Sequence, residues 1–195
     1  MHYVQPLRTK TDIEKIKGVL KERNLRDYAL FVLGLNTGLR VSDLLRLKVK
    51  DVVEPTERDV KIKNRLEVVE KKTGKTNDIP INTAARSALR EHLRKSMLIY
   101  KEDSPLFPSR IGRGSRAITR YMVWLVLRLA AQEVGIREKV GTHTMRKTYG
   151  YQLFKQGVDI TRIQKMLNHS SPEITLAYIG ITKDETDSLI KNLNL

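Results

Sequence analysis

THTMRKTYGYQLFKQGVDITRIQKMLNHSSPEITLAYIG, residues 142–180, is the stretch around which the rest of the chain is arranged. It holds two of the four histidines, His143 and His169, together with Arg146 and Tyr178. His143 and Arg146 stand three positions apart, so on a helix they share one face. Apolar spacing predicts a helix from His143 to Gln156, with Tyr149 and Leu153 as its buried stripe and Gly157 as its stop. A second, short helix is expected from Asp159, a capping residue, to Leu167, with Ile160, Ile163 and Leu167 facing inward. The run Ser170-Ser171-Pro172-Glu173 reads as a further helix start, with a capping box and Pro in the first turn. Tyr178 falls at the far end of that helix.

A guanidinium, two imidazoles and a phenol suffice for metal-free chemistry on a phosphodiester. The guanidinium grips non-bridging oxygens in a fork, the imidazoles donate hydrogen bonds or move protons, and the phenol attacks. The competing reading is a basic helical bundle in which these side chains merely pack and hydrogen-bond. Zinc is not expected, because nothing supplies the remaining ligands of a tetrahedral site. No cofactor is called for.

Composition narrows the partner. The 195 residues carry 37 Lys and Arg against 22 Asp and Glu, a net charge of +15, and the pI is about 10.1. Such an excess points to a polyanion, with double-stranded DNA the first candidate. The absence of cysteine excludes disulfides, thiolate metal sites and cysteine nucleophiles. No apolar run approaches transmembrane length, and MHYVQPLRTKTDIEK lacks the apolar core of a signal peptide, so a cytoplasmic protein away from membranes is expected.

The remaining chain reads as helices interrupted once by strands. Residues 1–9 form an extended lead-in, and Thr9 or Thr11 caps a helix to Arg23. Another helix runs from Asn24 and Leu25 to a stop at Gly38. LRVSDLL follows at once, which puts Arg40 near a helix N-terminus, where backbone N–H groups favour an anion. A loop arginine in solvent is the plainer account of Arg40, and an ordinary first-turn acid is that of Asp43. Between Val49 and Ile81 the periodicity drops to two and predicts three short antiparallel strands, around Val60–Ile62, Leu66–Val68 and Ile79–Ile81. A helix capped by Asn82 or Thr83, a loop over 101–115 and a helix over 116–134 follow, the last with Ile118, Met122, Leu125 and Leu129 inward. Arg110, Arg113, Arg116 and Arg120 are candidate phosphate contacts, or simply solvated.

The pattern His-x-x-Arg, Leu-x-His, then Tyr nine residues after that histidine resembles the tyrosine recombinase (phage integrase) family. TGLRVSDLLRL resembles that family's first arginine motif, and KKTGKTNDIPI its β-hairpin lysine motif. The resemblance runs from about Thr11 to Gly180 and corresponds to the catalytic domain. It implies a DNA breaking-rejoining fold: α+β, mainly helical, with a small three-stranded antiparallel sheet. It further implies Arg40 and Arg146 on the scissile phosphate, Asp43 orienting the arginine pair, His143 as general base and His169 on a non-bridging oxygen. Tyr178 would be the nucleophile. Lys72 would protonate the leaving oxygen, with Lys71 and Lys75 as fallbacks that otherwise contact DNA. The expected organisation is a catalytic domain over 1–180 and a tail helix over 181–195, without the family's N-terminal clamp domain, as either an excised fragment or a naturally short member. The expected assembly is a monomer in solution and a homotetramer on DNA, joined through that tail. A DNA-binding regulator of the same fold and a type IB topoisomerase-like relaxase are the alternatives.

Overall fold

The computed structural model describes residues 4–54, 60–71, 74–96, 102–111, 114–181 and 191. Thr9 opens α1 (Lys10–Arg23): its hydroxyl accepts from the Asp12 N–H, and Ile13, Ile16 and Leu20 recur at helical spacing towards the core. Asn24 ends α1 and caps α2 (Leu25–Thr37) by accepting from the Arg26 N–H. Ala29, Leu30, Phe31, Val32 and Leu33 are all buried, so α2 is apolar nearly all round and runs through the interior. It packs against α1, α5 (Thr83–Ser96) and α7 (Thr144–Lys155). Gly38 ends α2 with φ 64°, and a Cβ there would lie 2.4 Å from the Tyr149 ring. Both the turn and the contact require glycine. Two short helices follow, α3 (Val41–Leu44) and α4 (Val49–Val52).

The sheet has two strands among the described residues, not the expected three. β1 (Arg65–Val69) pairs antiparallel with β2 (Thr76–Pro80), Leu66 opposite Ile79. Val60 and Ile62 are buried as a strand would bury them. However, the Lys63 N–H donates to Val52 O and the Glu54 N–H to Lys61 O, leaving a single bridge between Val53 and Ile62. The chain after α4 thus takes up the backbone groups that a third strand would have offered to β1.

Thr119 caps α6 (Arg120–Glu133), which starts later than expected because Arg116 and Ile118 are held in an extended pairing with Ser109 and Phe107. Its inner face is Val123, Leu127, Ala130 and Ala131, while Met122 and Leu129 are 39% and 44% exposed. Residues 121–127 are all apolar, so periodicity offered more than one face. Packing against α1 chose the one with two alanines, which permits close approach.

α8 (Ile160–Met166) and α9 (Pro172–Ile179) close over α7 in a smaller apolar cluster of Tyr151, Ile163, Leu167 and Ile179. α7 is enclosed on several sides, so Met145, Thr148 and Tyr151 are buried more deeply than the expected Tyr149 and Leu153. Ser171 caps α9 by accepting from the Ile174 N–H, which leaves Glu173 one position short of a capping box. The lead-in straps these elements together. The Leu7 N–H donates to Thr148 Oγ1 at 2.8 Å, Gln152 Nε2 donates to the Leu7 and Arg8 carbonyls, and Arg8 Nη2 donates to Gly180 O. The expected tail helix falls almost entirely outside the described residues. Among the described residues no helix is long and apolar enough to cross a membrane.

Candidate active site

Arg146, in the first turn of α7, is 4% exposed. Its Nη1 donates to Gly38 O and its Nη2 to Leu167 O. Those carbonyls stand at the C-terminal ends of α2 and α8, where unpaired acceptors and the helix dipole favour a cation. Burial, and then the charge of Arg40, lower its pKa, but a guanidinium remains charged at neutral pH.

Arg40 precedes α3 and pairs through Nη1 with Glu70 Oε2 at 2.6 Å. Glu70 is 1% exposed, and its other oxygen accepts from Asn77 Nδ2 at 3.1 Å. The acid paired with Arg40 is therefore Glu70, while Asp43 acts on the arginines through its charge on Arg146. Asp43, equally buried, accepts the Lys71 N–H on Oδ1 at 3.0 Å and so ties the end of β1 to α3. Asp43 Oδ2 has no hydrogen-bond partner among the described residues.

Tyr178 lies in the last turn of α9 with its hydroxyl 3.3 Å from His143 Nδ1. The His169 ring meets it edge-on at 4.8 Å between centroids, and Lys147 Nζ sits 5.1 Å from its ring centre. Burial raises the phenol pKa, while Arg146 and Arg40 pull it down. His169 is fixed by its Nδ1, 3.1 Å from Thr175 Oγ1, whose hydroxyl donates to Ser171 O. With that hydroxyl proton committed, the His169 proton sits on Nδ1. Asn168, with φ 47°, makes the left-handed turn that presents His169 after α8. Lys147, one turn beyond His143 and buried against the tyrosine, was not singled out from the sequence. Its burial lowers its pKa.

A cleft of about 340 Å³ opens beside these groups, lined by Arg40, Ser42, Lys71, Arg120 and His143 among others. Arg120 Nη2 approaches His143 Nε2 at 3.3 Å. Partial burial first, then Arg120, Lys147, Arg146 and Arg40, lower the pKa of His143 and keep the ring neutral at pH 7. Of the other basic candidates, Arg110 lines a separate cleft with Lys21, His92 and Lys95. Arg116 and Lys75 are exposed, and Lys72 and Arg113 lie outside the described residues. Among the described residues no group of His, Asp and Glu could hold a metal ion.

Arg40 and His143, far apart in the chain, line this cleft, and Tyr178, His169 and Arg146 pack beside them. Known proteins resemble this chain. The chain is 40% identical over 191 residues to the probable integrase/recombinase YoeC of Bacillus subtilis, covering 98% of this chain and 97% of that protein. It is 29% identical over 188 residues to the tyrosine recombinase XerA of Pyrococcus furiosus, covering 96% of this chain but 61% of that protein. Among solved structures, XerA recombinase superposes with a TM-score of 0.75 at 22% identity, covering 98% of this chain and 66% of that one. XerH site-specific recombinase, bound to its difH substrate after cleavage, gives 0.73 at 21% identity, covering 98% and 54%. The model of the phage integrase family matches residues 8–185. With that span covering nearly all of the site-bearing chain, the protein belongs to the phage integrase family, among the tyrosine recombinases.

Proposed function

We propose that this chain cleaves and rejoins DNA as a site-specific recombinase, with Tyr178 forming a transient 3′-phosphotyrosine bond. The observation that carries the reading is His143 at the Tyr178 hydroxyl, with His169 against its ring and the charges of Arg146 and Arg40 acting on the phenol, beside a basic cleft. A scissile phosphate entering there meets Arg40 and Arg146, whose charges offset that of the pentacoordinate transition state. The Tyr178 oxygen bonds to phosphorus as the bond to the 5′-oxygen breaks. The phenol proton passes to His143, and Lys72 supplies a proton to the departing 5′-oxygen. A phenol with an ordinary pKa near ~10, raised further by burial, needs both the base and the neighbouring guanidinium charges. The new phosphodiester keeps the energy of the old one, so a second 5′-hydroxyl reseals the strand without ATP. Assembly as a homotetramer on DNA through residues 181–195, from a monomer in solution, belongs to this proposal.

Covalent trapping tests it. Nicked duplexes built from the DNA flanking the encoding gene release the short fragment that carries the free 5′-hydroxyl and strand the intermediate. The wild type is expected to give a denaturation-resistant protein–DNA adduct that Tyr178→Phe abolishes. Binding without an adduct on any such site would sink the catalytic reading for this chain.

A further inference from the structure

Arg120 touches the candidate base from the side opposite the nucleophile. Its Nη2 is 3.3 Å from His143 Nε2, and His143 Nδ1 is 3.3 Å from the Tyr178 hydroxyl. A guanidinium has five N–H donors and no acceptor. The imidazole nitrogen that faces it must then present a lone pair, and the single ring proton of a neutral histidine resides on Nδ1. In that tautomer the nitrogen next to the phenol is a donor. It can stabilise a phenolate, but it cannot take the proton that attack requires.

We infer that Arg120 is a positioning residue which holds His143 in the Nδ1–H tautomer until a DNA phosphate draws the guanidinium away. The competition favours the phosphate. Arg120 is exposed and lines the same cleft as Arg40 and Lys71. A guanidinium meets a phosphate as a fork, with two parallel N–H···O bonds and an opposite charge, against a single bond to the neutral imidazole. Once Nε2 loses its donor, solvent protonates Nε2 and removes the proton from Nδ1, so net charge and proton count are unchanged. Nδ1 then accepts the phenol proton and Nε2–H is free to donate to the phosphate. Cations of Arg120, Lys147, Arg146 and Arg40 around the ring disfavour the doubly protonated form, so exchange between the two neutral tautomers is the accessible route. Arrival of substrate and activation of the nucleophile become one event. The consequence for cleavage rests on the recombinase reading, whereas the tautomer itself does not.

Imidazole nitrogen-15 spectroscopy of the full-length chain reads the tautomer directly, with His143→Gln used to assign the signals. In the free wild type at pH 7, His143 is expected to show a protonated, pyrrole-like Nδ1 and a pyridine-like Nε2. Arg120→Met should exchange those two positions, because Nε2–H is the form favoured in water, and Arg120→Lys, also donor-only, should restore the wild-type pattern. A saturating random-sequence duplex should move the wild type to the pattern of Arg120→Met. A free wild type with the proton on Nε2, or an Arg120→Met protein with an unchanged spectrum, overturns the assignment. An unchanged spectrum in the presence of duplex overturns the release by DNA. These outcomes are independent of the trapping experiment, whose failure bears on cleavage alone.

Discussion

Arg40 and Glu70 form a pair in which the carboxylate is 1% exposed and the guanidinium side chain 17%. The charges of Arg40 and Arg146 repel each other, and Glu70 offsets part of that repulsion before any phosphate arrives. Removing one member of a buried pair strands the other's charge, a loss of about 3 kcal/mol. Glu70→Ala should therefore lower the unfolding free energy by about that amount in urea titration. A change well under ~1 kcal/mol would show that solvent already screens the pair. A signal for Glu70 was present in the sequence. Leu66 and Val68 are the inward positions of β1, and Glu70 continues the same alternation, so a charged residue sits where the pattern calls for an apolar one. Asp43, one helical turn from Arg40, is the acid that nearness in sequence suggests. Proximity in sequence does not reveal that a strand end will reach the arginine first.

At the scale of elements, the nucleophile's position depends on how closely α9 approaches α7. A Cβ on Gly150 would lie 2.7 Å from Ile179 Cγ2 and 3.1 Å from Leu167 Cδ1, both in buried side chains. Replacing a helical glycine by alanine gains up to ~1 kcal/mol in propensity. Overpacking a filled core costs about 1–3 kcal/mol, which outweighs it. Gly150→Ala should then destabilise the fold and reduce Tyr178 trapping, because Ile179 adjoins Tyr178. Gly18→Ala in α1, where nothing lies within 4 Å, should stabilise by up to ~1 kcal/mol. Thermal unfolding of the two variants checks the pair, and shifts of the same sign would refute the packing argument. The starts of α1, α2, α8 and α9 were legible because caps are local: Thr9, Asn24, Asp159 and Ser171 all cap as their chemistry dictates. The inner face of α6 was not, since apolar residues surround its first two turns and only the partner helix selects among them.

Across the whole molecule, burial of neutral histidine ties stability to pH. His92 is 3% exposed, with Nε2 2.9 Å from Leu106 O, and desolvation lowers its pKa. The unfolded chain binds that proton near the ordinary ~6.5, the folded chain only lower. Stability from this group is therefore fully present above about 6.5 and is lost as pH falls from there through the folded value. The midpoint of thermal unfolding should drop between pH 7 and pH 5, and His92→Gln should drop less over the same interval. Equal drops in the two proteins would remove His92 as the cause.

The sequence by itself determined the caps of α1, α2, α8 and α9, the excess of positive charge, and the spacing of two histidines, an arginine and a tyrosine in one stretch. These follow from short-range rules: a cap needs only its next turn, net charge needs no geometry, and the spacing of His143, Arg146, His169 and Tyr178 is written in the chain. Only the tertiary structure decided that Glu70 pairs with Arg40, that the sheet has two strands among the described residues, and that Arg120 reaches His143 across 23 positions. Each of these is a competition for one hydrogen-bonding group among partners distant in sequence, and its winner is set by which elements pack side by side.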